Sequence, residues 1–418
     1  MDIDTRTRGL GARFWKFLAA SGASNLADGI GRTAVVLLAT TLTRDPVLIS
    51  ALTALAYLPW LLLALPAGTY IDRNDRRTVM VGANLFRAVA YGLLAVLVLT
   101  NSATIWALFV FAFTVGVAET LYDSAGRAFL PQIIGRDQLD RGNSLLATVE
   151  AGAQMFVGGP VGALLFAAVA VLPLATNAGV FAVAVLLMVS VAGSFRPAGA
   201  VERTSFTAEL GAGVRWLWRH RFLRELTMVN STISVLQNMT NAVLVLYALE
   251  VIHLSTAGFG AVMVATGLGA LLGGLVAPLL SGRLGRIATL SLTSVLFPIP
   301  LAAMSLTSDA IVGCALYGLS ALLVMAGNVL ILSLRQAMTP EAFFGRVQGS
   351  YRTLVWGGIP IGALAGGVLA SVTNIRTVFA AAGIAAVLVG VWMSSLLHRH
   401  RTEIAQAYSR DLDHEPVG

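Results

Sequence analysis

The sequence predicts an all-α integral membrane protein whose twelve transmembrane helices form two six-helix bundles related by internal duplication. Three observations carry that prediction. The 418 residues are 57% hydrophobic and only 12% charged, with a mean hydropathy of +0.80, whereas a soluble domain carries about 25% charged residues. The apolar residues gather into runs of about the twenty needed to cross a bilayer. Two patterns then recur about 200 positions apart. Gly158-Gly-Pro160-Val-Gly162-Ala-Leu164 returns as Gly357-Gly-Ile-Pro360-Ile-Gly362-Ala-Leu364, and a turn containing Asp72, Arg73 and Arg76 returns, without its acid, as Gly282-Arg283-Leu-Gly285-Arg286. Repetition at similar offsets implies a duplicated unit.

Spans are expected at 14–42, 47–71, 78–100, 103–123, 144–171, 174–195, 226–250, 256–281, 287–306, 311–334, 347–372 and 375–397. The amino-terminal bundle then covers 1–195, a cytoplasmic amphipathic linker 196–225, the carboxyl-terminal bundle 226–398, and a polar tail 399–418 that is expected to be disordered. The first span follows Arg13 and Lys16 without a small-residue cleavage site and is expected to be retained. Of the 28 basic residues, 23 fall in segments on one side of this threading and two, Arg44 and Arg376, on the other. Cations are held on the cytoplasmic side, so both termini are expected in the cytoplasm of a cell-membrane protein. In the linker, Trp216, Trp218, Phe222 and Leu223 interleave with Arg215, Arg219, Arg221 and Arg224, as in a helix lying on an anionic membrane surface.

The net charge of +7 is spread over these loops, which argues for a lipid bilayer rather than a nucleic acid as its partner. The single cysteine, Cys314, lies in an apolar run and excludes an internal disulfide; the five histidines sit outside ligand spacing, so no metal site and no cofactor are expected. One lysine, Lys16, and no phosphate-cradling glycine loop leave no ATP-driven motor in this chain. No catalytic constellation appears, and the protein is expected to be a non-enzyme that works as a monomer.

Ionisable groups within the hydrocarbon are costly and mark function. In the first span Ser21, Asn25, Asp28 and Arg32 share one face, and Arg32 follows Asp28 by four residues, which lets the two meet. Asp28, Arg32 and Glu150 of the fifth span are the candidates for carrying a proton. A structural ion pair of Asp28 with Arg32, and satisfaction of Glu150 by Arg87, are the alternatives. Asn230, Ser234, Gln237, Asn238 and Asn241 make a polar stripe on the seventh span. With Asn25, Gln154, Tyr351 and Trp356 they are the candidate walls of a substrate cavity.

The turn from 68 to 80 has Gly68, three intervening residues and then Asp72-Arg73, with Arg76 and Arg77 three and four positions beyond Arg73. Its spacing resembles the signature loop of the major facilitator superfamily; the second glycine usual in that loop is Asp75 here. Ser24-Asn-Leu-Ala-Asp28-Gly29, Leu58-Pro59, Leu130-Pro131 and Asn143-Ser144 are similar to the bacterial efflux branch that includes enterobactin and macrolide exporters. Gly158-Gly-Pro160 resembles the glycine-proline motif of antiporters in that superfamily. The resemblance implies proton-coupled efflux of a medium-sized amphipathic compound by alternating access. It also implies a conformational latch of Gly68, Asp72, Arg73, Arg76, Arg77, Glu119 and Asp123, with Asp123 meeting Arg76. An importer of a small polar solute on the same fold, and a membrane scaffold or sensor that does not transport, are the competing readings.

Overall fold

The computed structural model describes residues 9–135, 138–193, 195–196, 215–339 and 341–412. Helices α1 (Gly11–Leu42), α2 (Pro46–Ile71), α3 (Arg76–Leu99), α4 (Ile105–Ile133), α5 (Leu139–Ala168) and α6 (Leu172–Val189) make the first six spans. The second six are α7 (Arg221–Val251), α8 (Phe259–Leu284), α9 (Arg286–Met304), α10 (Ala310–Met338), α11 (Glu341–Val372) and α12 (Ile375–Arg399); a short α13 (Arg401–Leu412) follows. Among the described residues eleven helices are long and apolar enough to cross a membrane, and α1 is not one of them. Its 32 residues exceed the length required, about 1.5 Å per residue. Its polar stripe is what lowers its hydropathy.

Local chemistry sets the boundaries. Asp75, Thr104, Asp309 and Asn374 are extended N-cap residues whose side chains accept a hydrogen bond from the backbone N–H three residues on. Gly285, at φ +82°, makes the left-handed turn between α8 and α9. Inside α5 the turn Gly152–Gly158 is a π-helix. It lies just before Pro160, whose missing N–H removes one rung of the ladder and lets the register slip.

By contacts the chain divides into one unit of Met1–Leu38 with Leu62–Arg203, and a second of Ala39–Leu61 with Thr204–Gly418. Residues 39–61 were expected with the amino-terminal bundle. By contacts they cluster with the second unit, because the first part of α2 is surfaced with small residues that close on α11. Ala54 clusters with Ala242 and Ala363, and a Cβ on Gly367 would lie 2.6 Å from Ser50 Oγ. The first unit has an aromatic core of Phe14, Phe17, Phe129 and Phe195 around Met80. In the second, Leu226, Val229, Leu334, Leu396 and Leu397 form the corresponding core.

Three expectations are corrected. The fourth span was expected to stop at Asp123, but α4 runs ten residues further, to Ile133. Phe222 and Leu223, expected on a lipid surface, are buried in the second unit's core beside Leu217, with Phe222 against His400; residues 197–214 of the linker lie outside the described residues. The start of the tail, expected to lack structure, is helix α13. Ile404 and Tyr408 fall on one face, Ile404 is buried, and Tyr408 bonds Ser333 and lies under Arg286, so burial of that face holds the helix.

Candidate functional site

The polar stripe of α1 is divided among three neighbouring helices of the first unit. Ser21 Oγ donates to Glu150 Oε1 of α5 at 2.6 Å. Asp28 receives Arg87 of α3, whose Nη1 lies 3.0 Å from both carboxylate oxygens. Arg32 donates to Glu119 of α4. Two pairs thus run between helices, and Arg87 serves Asp28 rather than Glu150. Spacing along one helix shows which side chains share a face, but the helix packed on that face decides the partner.

Arg87 is the centre of the arrangement. It has no exposed surface, and Nη2 donates to Ser24 Oγ at 2.9 Å and to Asn84 Oδ1. The rings of Tyr122 and Phe181 lie 4.8 and 4.5 Å from its Cζ. A guanidinium in hydrocarbon persists only when its charge is met; here one acid, two polar acceptors and two π faces meet the charge and both Nη groups, while Nε is buried without a hydrogen-bond partner. Neutralising Asp28 would strand this cation, so the protonation state of Asp28 and the grip between α1 and α3 are coupled. Ser24 and Asn84 were not among the expected site residues. Their signals were in the sequence: Ser24 precedes Asp28 by one turn and Asn84 precedes Arg87 by three, each on the face of its charged neighbour.

Glycines bring α5 against this face. A Cβ on Gly29 would lie 2.2 Å from the carbonyl oxygen of Gln154, and one on Gly158 would lie 2.7 Å from Gly29 Cα. The π-turn and its Gln154 therefore sit on α1 one residue beyond Asp28. The repeat shows in the second unit, where a Cβ on Gly362 would lie 2.2 Å from the carbonyl oxygen of Val235 on α7.

The seventh-helix stripe divides into buried, half-buried and exposed positions. Asn230 and Ser234 are buried; Asn230 Nδ2 returns to Leu226 O at 2.8 Å, and Ser234 Oγ faces Gly358 of α11. Those two pack helices together. Gln237 and Asn238 are half-buried, Asn238 returns to Ser234 O, and Asn241 is exposed and accepts from Tyr317 of α10. Asn25 likewise turns its amide to its own helix, at Ser21 O. On α11, Tyr351 stacks on Arg335 and Trp356 lies edge-on to Trp60.

At the signature turn the acid in contact is Asp75, the residue that departs from the family pattern. Its Oδ1 caps α3 at Thr78 N and its Oδ2 accepts Phe195 N–H at 2.7 Å. Partial burial pushes this carboxyl up, but the backbone N–H groups of Phe195 and Thr78 outweigh it and hold it below the usual range. Arg76 N–H donates to Phe195 O, and Arg77 Nη1 to Val191 O at 2.6 Å. The turn is thereby fastened to the segment after α6. Asp72 and Arg73 are exposed, Glu119 is engaged by Arg32, and among the described residues no ion pair joins Arg76 to Asp123. The acid that holds the turn to its neighbours is thus Asp75, through Thr78 and Phe195. Among the described residues no group of three His, Cys, Asp or Glu side chains is placed to hold a metal ion.

A twelve-span duplicated helical fold with a buried charge pair inside it fits a membrane transporter for small molecules. The chain belongs to the transmembrane secretion effector family of the major facilitator superfamily, whose family model matches residues 11–417. It is similar to macrolide efflux protein A of Streptococcus pyogenes, with 20% identity over 91% of this chain and 94% of that protein. Similarity to the multidrug efflux pump Tap of Mycolicibacterium fortuitum is 27% over 80% of this chain and 83% of that one. Among solved structures, the nucleoside transporter NupG superposes with a TM-score of 0.74 at 14% identity, covering 93% of this chain and 99% of that one. A bacterial homologue of the iron transporter ferroportin gives 0.67 at 18%, covering 91% and 97%. At these identities the structures support the fold alone.

Proposed function

We propose that this transporter is a proton-coupled exporter that moves a medium-sized amphipathic compound, such as a drug, siderophore or secondary metabolite, out of the cell by alternating access. The observation that carries the reading is the sealed Asp28–Arg87 pair, supported by the names of the efflux relatives and by the glycine-proline turn against α1. A proton entering from the acidic outside protonates Asp28, removes the counter-charge of Arg87 and loosens α1 from α3. Return of the proton to the cytoplasm restores the pair. Glu150, held by Ser21, is the second acid that exchanges a proton, and Arg32 with Glu119 extends the network. Asn25, Gln154, Gln237, Asn238, Tyr351 and Trp356 contact the cargo, whereas Asn230 and Ser234 hold α7 to α11. One proton moving inward across 100 mV releases about 2.3 kcal/mol, which sustains about a fiftyfold gradient of a neutral solute.

The test is accumulation of a compound panel in cells with and without the protein, each with and without a proton-gradient uncoupler. Export predicts lower accumulation of some amphipathic compounds in expressing cells and loss of that difference with uncoupler. Higher accumulation of a polar solute in expressing cells would favour import.

A further inference from the structure

In the first unit each intramembrane arginine has an acid, Arg32 with Glu119 and Arg87 with Asp28. The second unit breaks this pattern. Arg352, eleven residues into α11, lies with its Cζ 3.8 Å from the ring of Trp356 and 5.1 Å from that of Trp60, and the two tryptophans meet edge to face at 5.2 Å. Its Nε and Nη2 are buried and have no hydrogen-bond partner. A second guanidinium, that of Arg335 on α10, is stacked 3.5 Å from Tyr351, donates Nη1 to Gln348 Oε1 at 2.7 Å, and leaves its own Nε buried and unpartnered. Among the described residues neither arginine forms an ion pair.

Two features of this arrangement point to a ligand. A charged donor left unmet in an apolar setting is costly, and the π faces of two tryptophans offset the charge without accepting the N–H groups. The two unpartnered groups are also the ones that matter for recognition: Nε–H and Nη2–H run side by side in the guanidinium plane and form the side-on fork that binds two oxygens of one carboxylate. Indole rings beside the fork supply an apolar surface for an aromatic or alicyclic body.

We propose that Arg352, Trp60 and Trp356 form a recognition site for an organic anion, a carboxylate attached to a ring system, and that this is the chemistry of the exported cargo. The inference rests on the export reading and narrows its substrate class.

The test uses the full-length protein in phosphatidylcholine nanodiscs and a matched pair of probes, 2-naphthoate and the neutral 2-naphthamide. Naphthoate is expected to bind at least tenfold more tightly than the amide. Arg352→Gln and Arg352→Lys should remove that preference and leave the weaker amide affinity unchanged, because an ammonium cannot offer two parallel donors. Equal binding of the two probes to the unsubstituted protein overturns the proposal without need of a variant; so does unchanged naphthoate affinity in folded Arg352→Lys. Loss of naphthoate binding when phosphatidylglycerol is added to the nanodiscs would assign the fork to a lipid headgroup and overturn the cargo assignment. Binding that follows the expectation in a protein that does not pump naphthoate would leave the site standing and sink the export reading. Pumping of neutral amphiphiles with no preference for the anion would do the reverse.

Discussion

Asp28 and Arg87 should show a coupling energy far larger than a surface pair. The guanidinium is fully buried, the Asp28 side chain is 7% exposed, and Nη1 lies 3.0 Å from each carboxylate oxygen. With charge centres about 4 Å apart and an effective dielectric of about 20, the attraction is about 4 kcal/mol. Removing one member of a buried pair costs about 3–5 kcal/mol, because the other charge is left unpaired. Asp28→Asn and Arg87→Met should each destabilise the protein by that amount. The double variant buries neither charge and should recover most of the loss, short by about 1–2 kcal/mol for the acceptors of Ser24 and Asn84 that Arg87 no longer meets. Unfolding in mixed detergent micelles, followed by tryptophan fluorescence through the double-mutant cycle, should give a coupling of at least about 3 kcal/mol. A coupling below about 1 kcal/mol, with all three variants folded, would refute the view that these residues are a sealed pair.

Other outcomes follow from the same contacts. Gly29→Ala should force α1 away from α5, since its Cβ would lie 2.2 Å from Gln154 O; a loss of about 1–3 kcal/mol in the same unfolding assay is expected. Asp75→Ala should cost about 1 kcal/mol at pH 7. The folded carboxyl is held below its usual range, so its contribution is present above the unfolded value and vanishes as pH falls through the folded one; the difference from the unsubstituted protein should shrink below about pH 4. Reporter fusions after Gly418 should signal from the cytoplasm and fusions beside Arg44 from outside, as the distribution of basic residues requires.

The fold was largely legible because lipid leaves few solutions: apolar runs of span length must be helices, and their repetition revealed the duplication. The candidate site was legible by residue and not by partner. Asp28, Arg32, Glu119 and Glu150 announce themselves as charges in hydrocarbon. Which of them meets Arg87 depends on how α3 and α5 dock on α1, and that docking is set by glycines whose role is visible only once two backbones touch. Arg32, four residues beyond Asp28, obeys the local rule for a pair, and Glu119 of α4, far away in sequence, also lies within its reach. Asp75 looked like a flaw in the signature turn; its two bonds to neighbouring N–H groups explain why an acid is useful there. In α13, Ile404 and Tyr408 are a single turn apart, too brief a pattern to stand out in a polar tail.

The central claim is that proton movement drives cargo outward through Asp28. It is tested most directly in proteoliposomes holding the purified protein and a cargo compound chosen from the cell panel, with a pH gradient imposed across the membrane. The account predicts uphill accumulation of the compound, matched by dissipation of the gradient on its addition, with both lost in the folded Asp28→Asn/Arg87→Met variant while equilibration down a gradient persists. Uphill accumulation in that variant, or accumulation indifferent to the pH gradient in the unsubstituted protein, would contradict it.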